Sequence, residues 1–272
     1  MVINGKLHDL SAPKIMAILN ATPDSFHAES RTTAPIHAVE KAAAMLADGA
    51  DIIDLGAYST RPGAAHISAD EEWQRLQPVL TAIVKAHPEA IISIDTFRAE
   101  IARKAIDCGA HMINDVSGGT LDENMFKTVA ACQVPYILMH MRGTPQTMQQ
   151  FTTYADVTAD VINDLSRKIA QLHELGLNDI IIDPGFGFAK TLEQNYQLLN
   201  NLEALKILGL PVLVGVSRKS MINKVLGTTA KEALNGTTAL HAFALERGAT
   251  ILRVHDVKEA KEVITLHKFL KS

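Results

Sequence analysis

Short β-branched runs alternate with longer amphipathic stretches along this chain. The apolar runs Ile15–Asn20, Ile52–Gly56, Ile91–Asp95, Met112–Asp115, Tyr136–His140, Ile180–Asp183, Val212–Val216 and Thr250–Val254 read as strands. They are apolar nearly throughout rather than alternating, as strands covered on both faces are. Between them, stretches such as Ala38–Asp48, Glu71–Lys85, Ala99–Cys108, Asn235–Glu246 and the final Val257–Leu270 carry helical periodicity. Gly49, Gly109, Gly176 and Gly248 each follow a helical run and precede a strand, the position of a left-handed helix C-cap. Eight strands and eight helical segments predict an α/β fold: a single (β/α)8 TIM barrel spanning residues 1–272 as one domain. The opening residues Val2–Leu10, centred on Asn4-Gly5, read as a β-hairpin that closes the barrel floor and covers Val2 and Leu10. Met141–Thr153 is the longest non-periodic stretch and reads as a surface loop. An open doubly wound sheet is the competing topology.

Composition narrows the function classes. Of 272 residues, 47% are hydrophobic and 21% charged, which suits a globular chain and not a disordered one. Twenty-six Lys+Arg against thirty Asp+Glu give a net charge of -4, which argues against a general polyanion binder. An aromatic share of 5% argues against a stacking platform for single strands. No nucleic-acid partner is therefore expected. Met1–Ser11 holds no cationic segment followed by an apolar run, and no stretch reaches the roughly 18 apolar residues of a membrane span. The expectation is a soluble, cytoplasmic protein with no membrane contact. Cys108 and Cys132 cannot form a disulfide framework and read as small buried apolar residues in helices.

The chemical signal lies where the strands end. In a barrel these ends converge on one face. They read Asn20 followed by Ala21-Thr22-Pro23-Asp24-Ser25-Phe26, Tyr58-Ser59-Thr60-Arg61-Pro62-Gly63, Asp95-Thr96-Phe97-Arg98, Asn114-Asp115, His140-Met141-Arg142, Asp183-Pro184-Gly185-Phe186-Gly187-Phe188, Ser217-Arg218-Lys219-Ser220 and Arg253-Val254-His255-Asp256. Singly, each has a plain account: Asn20, Asp24, Asp95, Asn114, Asp115 and Asp183 as turn formers or helix caps, Arg61, Lys219 and Arg253 as exposed cations. Eight polar ends in succession are not explained that way. Asp95, Asn114 and Asp183 suit a flat heterocycle with an amide-like donor and acceptor edge. Arg61, Arg218, Lys219, Arg253 and His255 supply positive charge for phosphate or carboxylate groups. HExxH, CxxC and P-loop patterns are absent, and Gly185-Phe186-Gly187 is only half of a dinucleotide fingerprint.

These segments, taken in order, resemble the dihydropteroate synthase family along most of the chain. The stretches that carry the resemblance are Ile18–Phe26, Ser59–Ala64, Ser93–Thr96, Ile113–Gly119, Met139–Pro145, Asp183–Thr191, Ser217–Ser220 and Arg253–Asp256. The resemblance implies condensation of 6-hydroxymethyl-7,8-dihydropterin diphosphate with 4-aminobenzoate, giving 7,8-dihydropteroate and diphosphate in folate biosynthesis. It implies that Asp95, Asn114 and Asp183 bind the pterin edge, that Lys219 reaches a ring acceptor and that Arg253 stacks on the ring. Thr60, Arg253 and His255 would address the diphosphate, and Asn20 matches the Mg²⁺-associated position. Arg61, Pro62, Phe188, Lys219 and Ser220 would line the aminobenzoate site. Asn20, Asp95, Lys219, Arg253 and His255 would carry the catalysis. Mg²⁺, a homodimer and sulfonamide competition at the aminobenzoate site are implied likewise.

Two departures stand out. Where the family continues Ser-Asp-Gly-Gly past the first Ser-Phe, this chain reads His27-Ala28-Glu29-Ser30. Where it often has Glu or Gln before the second-loop Ser, this chain has Tyr58. They motivate an alternative, a pterin-binding paralogue without synthase activity. A methyltetrahydrofolate-dependent methyltransferase is a further alternative, disfavoured because Ser217–Ser220 and Arg253–His255 suit a diphosphate that methyl transfer lacks.

Overall fold

The structure is a computed structural model, and it describes residues 1–3, 5–21, 34–58 and 66–272. An antiparallel pair, β1 (Val2–Ile3) and β2 (Lys6–Leu7), opens the chain. Eight parallel strands follow: β3 (Lys14–Asn20), β4 (Ile52–Gly56), β5 (Ile91–Asp95), β6 (Met112–Asp115), β7 (Tyr136–Met139), β8 (Ile180–Asp183), β9 (Leu213–Val214) and β10 (Ile251–Val254). They lie in the order β8-β7-β6-β5-β4-β3-β10-β9. A parallel bridge between Ile182 and Val212 joins the two ends, so the sheet curls into a nearly closed barrel. That closure excludes the open doubly wound sheet.

The helices α1 (Ala34–Ala47), α2 (Ala69–Ala86), α3 (Ala99–Asp107), α4 (Met125–Cys132), α5 (Val157–Glu174), α6 (Leu192–Asn200), α7 (Ser220–Leu226), α8 (Leu234–Glu246) and α9 (Val257–Lys271) fill the connections. The described residues thus hold one helix more than the eight expected. The β9–β10 connection carries two, because Gly227 ends α7 in a left-handed cap. Gly49, Gly109, Gly176 and Gly248 all take positive φ, as C-caps require. Cys108 and Cys132 are free and partly exposed at helix ends, not fully buried as expected. The Met141–Thr153 stretch is not merely superficial either: Met141 and Met148 are buried, and Met141 packs with Val116 and Met139.

The strands that read as uniformly apolar hide a two-residue alternation. Ile15, Ala17, Leu19, Ile53, Leu55, Ile92 and Ile94 face the helices in the main core. Met16, Ile52, Met112, Ile137, Ile181, Leu213 and Ile251 form a separate buried cluster, the lower interior of the barrel. Above that layer the interior turns polar, with Asp54, Ser93, Asn114 and Asp183 all buried. The N-terminal hairpin seals the floor. Ile3 is buried, Met1 packs on the lower layer, and the Val2 N–H donates to Asp179 Oδ2 at 3.1 Å. Val2 itself is exposed and Leu10 half-buried, so the plug is Met1 and Ile3, not the pair expected. Asn4 of the anticipated turn lies outside the described residues.

Side-chain parity separates neighbours at the top of β6. Asn114 faces the interior, whereas Asp115 organises the following turn, accepting from Ser117 N at 2.7 Å, Ser117 Oγ at 2.7 Å, Gly119 N at 2.8 Å and Tyr136 Oη at 2.7 Å. The plain reading of Asp115 as a turn former holds. Replacing Tyr136 by Phe removes one donor from this buried carboxylate at constant ring volume. The expected loss is about 1–3 kcal/mol of stability, read as a lower urea midpoint with an unchanged slope.

Candidate active site

A half-buried guanidinium organises the upper interior. Arg253, on β10, donates from Nε to Asp54 Oδ2 at 2.6 Å and from Nη2 to Asp95 Oδ2 at 2.6 Å. Asn114 Nδ2 donates to the same Asp54 oxygen at 2.9 Å. Asp54 is fully buried on β4, and its other oxygen has no partner among the described residues. Sequence reasoning missed Asp54. The available signal was a carboxylate in the middle of the apolar run Ile52-Ile53-Asp54-Leu55, a placement that demands a partner.

Asp183, at the end of β8, accepts the Gly185 N–H at 2.7 Å and lies within electrostatic reach of Lys219 and Arg253. Lys219 precedes α7. Its ammonium donates to the Phe186 carbonyl and sits 4.8 Å over the Phe188 ring. Asp95, Asn114, Asp183, Lys219, Phe188 and Arg253 therefore gather at one end of the barrel, as their strand-end positions predicted. His255 and Ser220 lie exposed at the rim, His255 Nδ1 being 3.0 Å from Ser217 Oγ. Asn20 ends β3 at the same face, opposite Gly56 in register. Thr60, Arg61, Pro62 and the first-loop segment His27–Ser30 lie outside the described residues.

Some strand-end cations serve the scaffold. Arg218, expected to supply charge to the site, takes φ 54° and turns its fork onto Asp256, with Nε–Oδ2 2.8 Å and Nη2–Oδ1 2.7 Å. Its Nη1 donates to the Ala230 and Lys231 carbonyls at 2.8 Å. Arg142 lies 3.9 Å over the Tyr154 ring and donates to Thr153 O at 2.7 Å. Arg98 pairs with buried Glu72 and donates to the Ile67 carbonyl at 2.6 Å.

Burial dominates the electrostatics. It pushes Asp95 from 3.8 up to about 7, with Arg253 opposing and Asp54 reinforcing the rise. It also raises Asp183, against the pull of Lys219, and draws Lys219 down to about 8 against Asp183. Burial works against the charge on Arg253 too, yet Asp54 and Asp95 hold that group above its ordinary value. The pocket is thus short of solvation, and suits a ligand that brings N–H donors to the carboxylates and an acceptor to Lys219.

Residues 16–255 match the family described as Pterin binding enzyme. The chain belongs to the pterin-binding enzyme family. It is 44% identical over 258 residues to the dihydropteroate synthase of Escherichia coli, covering 94% of this chain and 91% of that protein. The Yersinia pestis dihydropteroate synthase, solved with a sulfonamide drug, superposes with a TM-score of 0.92 at 38% identity, covering 100% of this chain and 98% of that one. The Xanthomonas albilineans dihydropteroate synthase with 4-aminobenzoic acid gives a TM-score of 0.90 at 37% identity, covering 98% and 96%. This pterin-binding enzyme has no helix, among its described residues, long and apolar enough to cross a membrane. Nor do three or more His, Cys, Asp or Glu converge among them as a metal group. The neutral amide of Asn20 is a hard oxygen donor, and it fits a Mg²⁺ that takes most ligands from substrate phosphates and water.

Asp95 yields a pH signature. A carboxyl at about 7 when folded and near 3.8 when unfolded binds more protons in the native state between those values. Its contribution to stability is therefore full below about 4 and is lost as pH rises through 7. From pH 5 to 7.5, Asp95→Asn is expected to flatten the wild-type decline by roughly 1–3 kcal/mol. Urea midpoints of both proteins across that range provide the check, and parallel slopes would refute the shift.

Proposed function

We propose that this chain is a dihydropteroate synthase, one barrel domain over residues 1–272, acting in the cytoplasm. It condenses 6-hydroxymethyl-7,8-dihydropterin diphosphate with 4-aminobenzoate, forming 7,8-dihydropteroate and diphosphate. The observation that supports this best is the convergence of Asp95, Asn114, Asp183, Lys219 and Arg253 above an apolar floor.

In this reading the pterin lies deep in the barrel. Asp95, Asn114 and Asp183 meet its donor-rich edge, Lys219 donates to a ring acceptor, and Arg253 covers its face. Arg253 and His255, with Thr60 and the Asn20 side chain, address the diphosphate. Asn20 would hold Mg²⁺, and the ion when bound would supply positive charge to the diphosphate oxygens. The bond between the pterin methylene carbon and the diphosphate oxygen breaks, and its electron pair leaves with the diphosphate. The carboxylates of Asp95 and Asp183 favour the positive charge left on the methylene. The aniline nitrogen then forms the new C–N bond and releases a proton. Phe188, Lys219 and Ser220, with Arg61 and Pro62, line the aminobenzoate position, where sulfonamides would compete.

Release of diphosphate from the pterin substrate, with and without 4-aminobenzoate, tests the activity. Diphosphate and dihydropteroate in equal amounts support the synthase; pterin binding without turnover selects the non-synthase paralogue that the His27–Ser30 departure motivates. Lys219→Ala and Asp183→Ala are each expected to weaken pterin binding at least tenfold, about 1.4 kcal/mol. Unchanged calorimetric affinity in both would refute the site assignment.

The synthase acts as a homodimer in this reading. The neighbouring helices α8 and α9 leave Phe243, Leu266, Phe269 and Leu270 exposed, an apolar surface that a second copy would cover. Light scattering is expected to give twice the 29.5 kDa chain mass. Phe269→Asp should shift it to the monomer, and a monomeric wild type would sink the proposal.

A further inference from the structure

Two lysines engage the carbonyls of the β8–α6 turn, Pro184–Thr191, one of them the turn's own Lys190, and the mechanism uses only Lys219. Lys219 meets it from the pocket side, donating to the Phe186 carbonyl. Lys190 meets it from behind. Lys190 is buried, with 4% exposure. Its ammonium lies 3.0 Å from the Gly185 carbonyl, 3.1 Å from the Phe188 carbonyl and 3.0 Å from His140 Nδ1. The two carbonyls held by Lys190 bracket the one that holds Lys219. A backbone whose flanking carbonyls are tied to one side has its central carbonyl fixed to the other.

The rest of the turn is built to the same end. A β-carbon at Gly185 would collide with the His140 carbonyl oxygen, so the turn packs directly on the strand end that carries the imidazole. Ala189 takes φ 48°, a conformation that costs a non-glycine residue energy and persists only where its surroundings hold it. Tyr154 Oη donates to the Ala189 carbonyl at 2.8 Å, and Asn195 Oδ1 accepts from Gly187 N at 2.6 Å.

We propose that Lys190, backed by His140, is a positioning residue for Lys219: it sets the Phe186 carbonyl that aims the Lys219 ammonium into the pocket. Burial draws Lys190 down to about 7, with Asp183 resisting and Lys219 and Arg142 adding to the fall. The arrangement works in either protonation state. The ammonium has three donors for three acceptors. The free amine keeps two N–H groups for the carbonyls and turns its lone pair to a proton on His140 Nδ1. Burial also holds the imidazole as a weak base, at about 2, so it acts as a neutral partner throughout.

The inference rests on the reading that Lys219 binds the pterin, and a double-mutant cycle read by calorimetric binding of the pterin diphosphate tests both. Lys190→Met keeps the side chain's bulk and removes every donor; Lys190→Gln keeps two N–H groups. Affinity is expected to fall about tenfold in the Met variant and about threefold in the Gln variant, in step with the donors lost. In a Lys219→Ala background either change is expected to cost less than about twofold, because the residue acts through Lys219. A general packing role would instead give additive losses, and additivity overturns the proposal. Should Lys190→Met fail to fold, the Gln variant alone completes the cycle. Loss of affinity in neither variant also overturns it. A wild type that binds no pterin would overturn the functional reading, and this inference with it.

Discussion

The site depends on one constraint: a guanidinium set inside a parallel barrel, largely away from water, must be matched there by carboxylates. Arg253 meets it with two, Asp54 and Asp95, bonded through different nitrogens. Because the fork is planar, two anchors fix the plane of the group as well as its position. Asp54 then also fixes Asn114, whose amide shares its Oδ2. These largely desolvated pairs add little net stability once desolvation is counted. What it contributes is a rigid polar floor, standing on the apolar layer from Met16 to Ile251 that the N-terminal hairpin seals from below.

The barrel was legible because its strands are short β-branched runs, and several observed boundaries coincide with the expected ones, β4, β5, β6 and β8 among them. Helix α7 was not: seven residues ended by Gly227 leave too little periodicity to separate from its neighbour. Within the site, residue types at strand ends were readable and side-chain direction was not. Asn114 and Asp115 are adjacent, yet parity sends one into the pocket and the other to a turn. Arg218 and Lys219 are adjacent too. One positive φ turns Arg218 outward to Asp256 and leaves Lys219 facing in. Asp54 and Lys190 escaped notice because each lies away from the strand ends, and their meaning comes only from partners distant in the sequence.

Charge is graded along the axis of the barrel, and that grading orders the ligand. The deep groups are Asp54, Asp95 and Asp183 against Arg253 and Lys219, so full ionisation would leave an excess of negative charge. Burial reduces it by raising Asp95 and Asp183, while the fall of Lys219 works the other way. The deep pocket therefore holds no surplus of positive charge, and a neutral ring rich in N–H donors is its better occupant, with Arg253 alone reaching from there toward the diphosphate in the proposed reading. Anionic groups fit nearer the rim, where His255, Ser220 and the amide of Asn20 meet solvent. Lys190 belongs to the same balance. Asp183 faces two lysines at once, and the turn between them keeps the ammonium groups apart while its carbonyls engage both. A pocket that must stay nearly neutral when empty, yet present one well-aimed ammonium, can hold its second lysine only behind the backbone that does the aiming.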